Sequence, residues 1–172
     1  SIENYAEKVS VNNNASSLQK KNSGNYFDSF LGIDFNYDKR SQKFATTEGF
    51  FSNYSITLPI YSETGTLQNS YNFKVFSELY ENNISTASLL LRSSFSINNE
   101  DIKLSERLFI PGNRLRGFER GKVGPKDGSD FIGGNYLTAL NLTTSIPKLL
   151  ENSQTIDFVA FFDLANVWGV DY

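Results

Sequence analysis

Apolar and polar side chains change places at nearly every residue of this chain, which is the period of an extended strand and not of a helix. In FDSFLGIDFNY, Phe27, Ser29, Leu31, Ile33, Phe35 and Tyr37 share one face, while Asp28, Phe30, Gly32, Asp34 and Asn36 share the other. Phe50, Tyr54, Ile56, Leu58 and Ile60 alternate with Phe51, Asn53, Ser55 and Thr57. Tyr71, Phe73, Val75 and Leu79 oppose Asn72, Lys74 and Glu78. Ala87, Leu89, Leu91, Phe95 and Ile97 oppose Ser88, Arg92, Ser94 and Ser96. A weaker run covers Glu3–Asn12, and two more, NYLTALNLTTSIP and TIDFVAFFDLANVW, follow a glycine-rich stretch. The turn-forming clusters DKRSQ, SETGTLQN, ENNIS and KLLENSQ separate the runs. The pattern predicts an all-β fold: an antiparallel meander of about seven strands.

The runs are about 9–13 residues long, longer than the usual globular strand and close to what a tilted membrane-crossing strand needs. Their polar faces carry charged and amide residues in mid-strand, as a wet lumen requires. Tyr37, Tyr61, Tyr71, Tyr80 and Tyr136 fall near the ends of runs, where an interfacial aromatic girdle would stand. The alternation leaves two architectures open, a transmembrane barrel and a soluble β-sandwich with one face packed.

Composition narrows the chemistry. There is no cysteine and no histidine, which excludes thiol chemistry, Cys/His metal sites and a Ser–His–Asp triad within these residues. The net charge of −3 is too mild for a nucleic-acid surface. Asp34, Glu48 and Glu78 could be read as glycosidase acids, but nothing in the sequence pairs them. No apolar run reaches the ~18 residues of a spanning helix. Length and composition fit one domain over residues 1–172. The first residue is Ser and no leader pattern follows it, so the chain is expected to be a mature fragment or a piece of something longer.

The glycine-rich stretch is RLRGFERGKVGPKDGSDFIGGN, Arg114 to Asn135, within a connection over about residues 98–135. A connection of this length without helical period is disordered or functional. Three elements stand in it in order: Arg116-Gly117-Phe118, Gly124-Pro125-Lys126-Asp127 and Gly133-Gly134-Asn135. Downstream, FFDLANVW (Phe161 to Trp168) is an aromatic-Asp-x-Ala-x-Val-Trp pattern, and upstream YDKRSQKFATTEG has an Asp-x-Arg…Gly turn. Together these motifs resemble the sixth extracellular loop and flanking strands of BamA-type outer-membrane assembly factors, in the bacterial surface antigen superfamily.

That resemblance implies part of a sixteen-stranded transmembrane barrel, about strands seven to thirteen, in the bacterial outer membrane. Upstream POTRA domains would lie outside the chain. The implied function is folding and inserting β-barrel proteins, with no enzymatic activity and no cofactor expected. The implied partners are unfolded client barrels, accessory assembly lipoproteins and the bilayer. A TamA-like translocation factor or a two-partner secretion transporter is the alternative within the superfamily; a porin-like channel is a more remote one. In the family, the loop folds into the lumen and the arginine of the tripeptide pairs with acids of the inner wall. Strand parity names the partner here. Ile156, Phe158, Ala160, Phe162 and Leu164 form an apolar set suited to lipid, so Asp157, Val159, Phe161 and Asp163 face inward, and Asp163 is the candidate carboxylate for Arg116. Phe118 would pack in the lumen, and Lys126 and Asp127 would form pairs within the loop. The family often adds a glutamate on strand twelve. The matching position is Thr143, on the inward parity with Asn141, so that second acid is missing.

Overall fold

The structure, a computed structural model, describes residues 1–146 and 158–170. Ile156, Asp157 and the KLLENSQ cluster lie outside the described residues. Seven strands form a single antiparallel sheet in chain order: β1 (Ile2–Val9), β2 (Gly24–Asp38), β3 (Gly49–Tyr61), β4 (Thr66–Tyr80), β5 (Asn83–Ser96), β8 (Tyr136–Ile146) and β9 (Phe158–Trp168). The labels β6 (Lys126–Asp127) and β7 (Asp130–Phe131) belong to a small hairpin inside the long connection. A short helix, α1 (Ser17–Lys21), joins β1 to β2; its capping residue Ser16 accepts from Gln19 N–H at 3.4 Å.

Ladder partners share a face, so the register tests the alternation directly. Phe35 lies opposite Tyr54 and Ile33 opposite Ile56, then Tyr54 opposite Tyr71, Tyr71 opposite Leu91, Leu89 opposite Leu140 and Leu140 opposite Leu164. This is the outer face, and it is apolar and uncovered: Phe35 is 62% exposed, Phe162 58% and Leu164 58%. The other, inner face receives the connection over residues 97–135. A soluble sandwich would bury an apolar face under a second sheet; here seven strands make one layer.

Aromatic residues band both ends of the outer face. At the end where the long connection leaves, Tyr136 stacks on Trp168 at 5.9 Å and Phe27 meets Tyr61 at 6.1 Å. At the opposite end Tyr37 packs on Phe50 at 5.6 Å. Tyr71 departs from the expectation. It lies midway along β4 opposite Tyr54 and Leu91, where Ser52 hydroxyl donates to its phenol at 3.3 Å.

Strands run longer than the alternation indicates, because β2 and β4 each span 15 residues. Thr66 to Asn69 has turn-like composition yet belongs to β4. Its inward residues meet polar groups of the long connection: Thr66 hydroxyl and Gln68 amide both donate to Glu106. The inner face is also less uniformly wet than a lumen pattern suggests. Leu90, Leu137, Ala139 and Val167 form an apolar patch there, and Leu108 and Ile110 of the connection bury it.

Candidate functional site: the loop on the inner face

The connection begins as two single 3-10 turns, Leu104–Glu106 and Gly112–Arg114, laid against the inner face. Between them Leu108 N–H donates to Gly134 O at 2.8 Å and Gly134 N–H returns a bond to Leu108 O at 3.0 Å, closing the two limbs of the loop together. Leu115 and Val123 pack on the apolar patch beneath. The loop is therefore ordered by both backbone pairing and burial.

At Arg116 this scaffold delivers a guanidinium to a carboxylate. Nε donates to Asp163 Oδ2 at 2.7 Å, Nη2 donates to Oδ1 at 2.6 Å, and the Arg116 backbone N–H adds a third bond to Oδ2 at 3.0 Å. The pair is bidentate, the geometry in which an arginine holds a carboxylate most firmly. Asp163 is 3% exposed in its side chain and Arg116 35%. The guanidinium also lies 3.7 Å above the Phe161 ring, two residues along β9 on the same face. The Asp163 hydrogen bond raises the guanidinium pKa further, against a smaller opposing effect of burial.

Thr143 stands where the second acid is missing, and its hydroxyl accepts from Arg116 Nη2 at 3.4 Å. Asn141 completes the carboxylate's surroundings. Its amide donates to Asp163 Oδ1 at 2.8 Å and to Arg114 O at 2.9 Å. Arg114 is a functional candidate that sequence reasoning passes over. Its guanidinium donates to Asn72 Oδ1 on β4, Ser88 Oγ on β5 and Asn141 Oδ1 on β8, at 2.9 and 3.1 Å for the two amides. Its partners are neutral, and burial lowers its pKa. The one signal in the sequence is that Asn72, Ser88 and Asn141 are inward-parity polar residues on consecutive strands.

The other motif residues divide into backbone and contact roles. Gly117 has φ 85°, a left-handed conformation that turns the chain directly after Arg116. Phe118 does not pack: it is 63% exposed, because the turn at Gly117 carries the chain away from the wall immediately after the arginine docks. Gly124 has φ 120° and faces Val167 so closely that a Cβ would sit 2.4 Å from its Cγ1. Pro125 O accepts from Ile132 N–H at 3.0 Å across the small hairpin. Lys126 lies over the Phe131 ring at 4.2 Å, a contact within the loop. Asp127 turns outward instead. Its carboxylate accepts from Leu18 N–H of α1 at 2.9 Å, and Asp130 accepts from Ser16 N–H at 3.0 Å. Helix α1 starts with orphan amides, and the hairpin satisfies two of the backbone donors there. Gly133 has φ 69°, and Gly134 approaches the Trp168 carbonyl. Asn135 N–H then donates to Trp168 O at 3.0 Å and Gly169 O at 2.9 Å, which starts β8 against the end of β9. In the β2–β3 connection, the Asp-x-Arg turn closes through Arg40 Nη2 on Asp38 Oδ2 at 2.6 Å.

An antiparallel wall with an apolar outer face, aromatic bands at both ends and a loop bonded to its polar inner face defines a segment of a transmembrane β-barrel with a lumen loop. The chain belongs to the Omp85 superfamily, whose domain profile matches residues 1–172. In fold it is similar to BamA from Haemophilus ducreyi, in a crystal structure lacking POTRA domains 1–3. The TM-score is 0.75 at 23% identity, over 84% of this chain and 31% of that one. It is 36% identical over 53 residues to a SAM50-like protein of Schizosaccharomyces pombe, covering 30% of this chain and 11% of that protein. The chain thus spans under a third of either relative's length. Family membership places it in an outer membrane.

Proposed function

We propose that this chain is wall and brace of an outer-membrane assembly factor that folds and inserts β-barrel proteins, rather than of a translocation factor or secretion transporter. The observation that carries the reading is the Arg116–Asp163 lock in an Omp85 chain whose loop also holds Gly124-Pro125-Lys126-Asp127 and Gly133-Gly134-Asn135 in sequence. The insertion needs no covalent step and no cofactor. A barrel seam offers unpaired backbone groups to an incoming strand, and client folding is driven by that pairing and by transfer of apolar side chains into lipid. The described strands supply the stiff side of such a barrel. Its partners would be unfolded client barrels, accessory assembly lipoproteins and the bilayer.

The test is client assembly by the full-length protein in proteoliposomes. Arg116→Ala should slow folding of a client barrel several-fold while the variant itself stays inserted. The exchanged pair Arg116→Glu with Asp163→Arg should recover part of the loss. Unchanged assembly by Arg116→Ala, with the loop shown to be displaced, would remove the brace from the mechanism.

A further inference from the structure

The first limb of the loop carries a second ionic anchor, at the other side of the sheet. Lys103 Nζ is paired with Asp28 of β2 and lies 3.3 Å from Glu106 Oε1. The Lys103 and Asp28 side chains are each 4% exposed and that of Glu106 is 9% exposed. Glu106 Oε2 accepts from Thr66 hydroxyl on β4 and from Thr64 hydroxyl at 3.1 Å. The Glu106 carbonyl takes Ser94 hydroxyl of β5 at 3.1 Å. Lys103 Nζ also sits 4.7 Å from the Tyr26 ring centroid on β2, and Asn22 Oδ1 accepts from Leu104 N–H at 3.3 Å. Ile102, next to the lysine, is fully buried.

Burying an ammonium costs more than its pairing returns unless the geometry is good and the remaining polar atoms are satisfied. Burial does pull the Lys103 pKa down, but the Asp28 hydrogen bond and the Glu106 and Asp28 charges outweigh it, and the net direction is up. Asp28 Oδ1 is buried with no hydrogen-bond partner, so the pair adds no more stability than apolar residues of the same volume often would, and its use lies in fixing where the loop sits. Its position decides what it is for. Arg116 bonds β8 and β9, whereas Lys103 and Glu106 bond β2 and β4, with β3 and β5 completing the sheet between them. One loop is tied down at both flanks of the same wall.

We propose that Lys103 is a second positioning residue of the loop, independent of Arg116, and that the loop acts as a strap stiffening the wall from β2 to β9. It rests on the assembly reading above, because it gives the stiff side of the barrel a physical cause: deformation during client insertion is displaced to strands outside this segment.

The experiment uses the full-length protein in lipid, with spin labels at Ser105 on the first limb and Asp34 on the inner face of β2, both exposed. Pulsed electron resonance reads the distance distribution, and client folding is followed in the same preparations. Lys103→Met should broaden the distribution and slow assembly several-fold, and Arg116→Ala should leave the distribution narrow. The exchange Asp28→Lys with Lys103→Asp should narrow it again. Where Lys103→Met fails to insert, Thr66→Val serves as the milder variant, removing one donor to Glu106 and broadening the distribution less. A narrow distribution in Lys103→Met, or equal broadening in Arg116→Ala, overturns the independent anchor. If Arg116→Ala slows assembly and Lys103→Met does not, the anchor has no part in function although the assembly reading stands. If no preparation, wild type included, accelerates client folding, the assembly reading falls while the distances still decide the strap.

Discussion

Arg116 binds one carboxylate through three donors and leaves its fourth contact, to Thr143, at the long limit of a hydrogen bond. Thr143→Glu would place a second carboxylate on that face beside a guanidinium already oriented by Asp163 and Phe161. The pair would stay partly solvated, so the gain should be about 1 kcal/mol, roughly fivefold in the loop-opening equilibrium. Hydrogen exchange at residues 115–118 of the inserted protein should slow by that factor; faster exchange would mean that Asp163 and the new carboxylate repel more than the arginine joins them. Asp163→Asn should act the other way, costing about 2 kcal/mol of docking through loss of charge-assisted bonds. Asp163 is legible in the sequence because strand parity puts it inward two residues from Phe161, and Arg116 because a tripeptide marks it. Arg114 and Lys103 are not. The strand partners of Arg114 lie 26, 27 and 42 residues away and that of Lys103 lies 75 away, on strands whose contact with the loop only the docked structure reveals.

Elements follow the alternation where one face meets lipid and the other meets water, since hydropathy then reports the pleat directly. The reading loses accuracy where the loop replaces water. Thr66 and Gln68 are polar on the inner face because Glu106 covers them, and Leu90, Leu137 and Val167 are apolar there because Leu108 and Ile110 cover them. Helix α1 is five residues long and held by Asp127 and Asp130, too short for any period to announce it. Loop and wall are joined most tightly at the start of β8. A Cβ on Gly134 would stand 2.5 Å from the Trp168 carbonyl oxygen, a backbone atom that cannot step aside without breaking the Asn135 bonds to Trp168 and Gly169. Gly134→Ala should therefore cost about 2–3 kcal/mol, as overpacking against fixed atoms does. Gly112→Ala is the matched control, because nothing lies within 4 Å of its added Cβ. Thermal melts of the two inserted variants compare them; equal midpoints would show that the β8–β9 junction yields more easily than its geometry implies.

At the scale of the whole molecule the outer face sets the environment. Eleven residues of β9, at roughly 3.3 Å each and a tilt near 45°, rise about 26 Å, the height of the apolar band of an outer-membrane barrel. Tyr136 and Trp168 close that band at the loop end, and Tyr37 with Phe50 at the other. The consequence is a strict parity along β9. Phe158, Ala160, Phe162 and Leu164 share the outer face, while Val159, Phe161, Asp163 and Ala165 share the face that carries the loop. A nitroxide moved residue by residue from 158 to 165, with Asp163 left in place, should show oxygen accessibility in the lipid-inserted protein peaking at the even positions. Accessibility to a water-soluble nickel chelate should peak at the odd positions 159 and 161 and fall at 165, where Ala165 packs against the apolar cluster under the loop. Adding Arg116→Ala should raise the nickel signal at 165 without changing the oxygen signal at 162 or 164, because the loop leaves while the strand keeps its register. Loss of the alternation itself would mean that the sheet does not meet lipid by its outer face. A signal at 165 as high in the parent protein as in the variant would instead show the loop undocked while the wall stays in place.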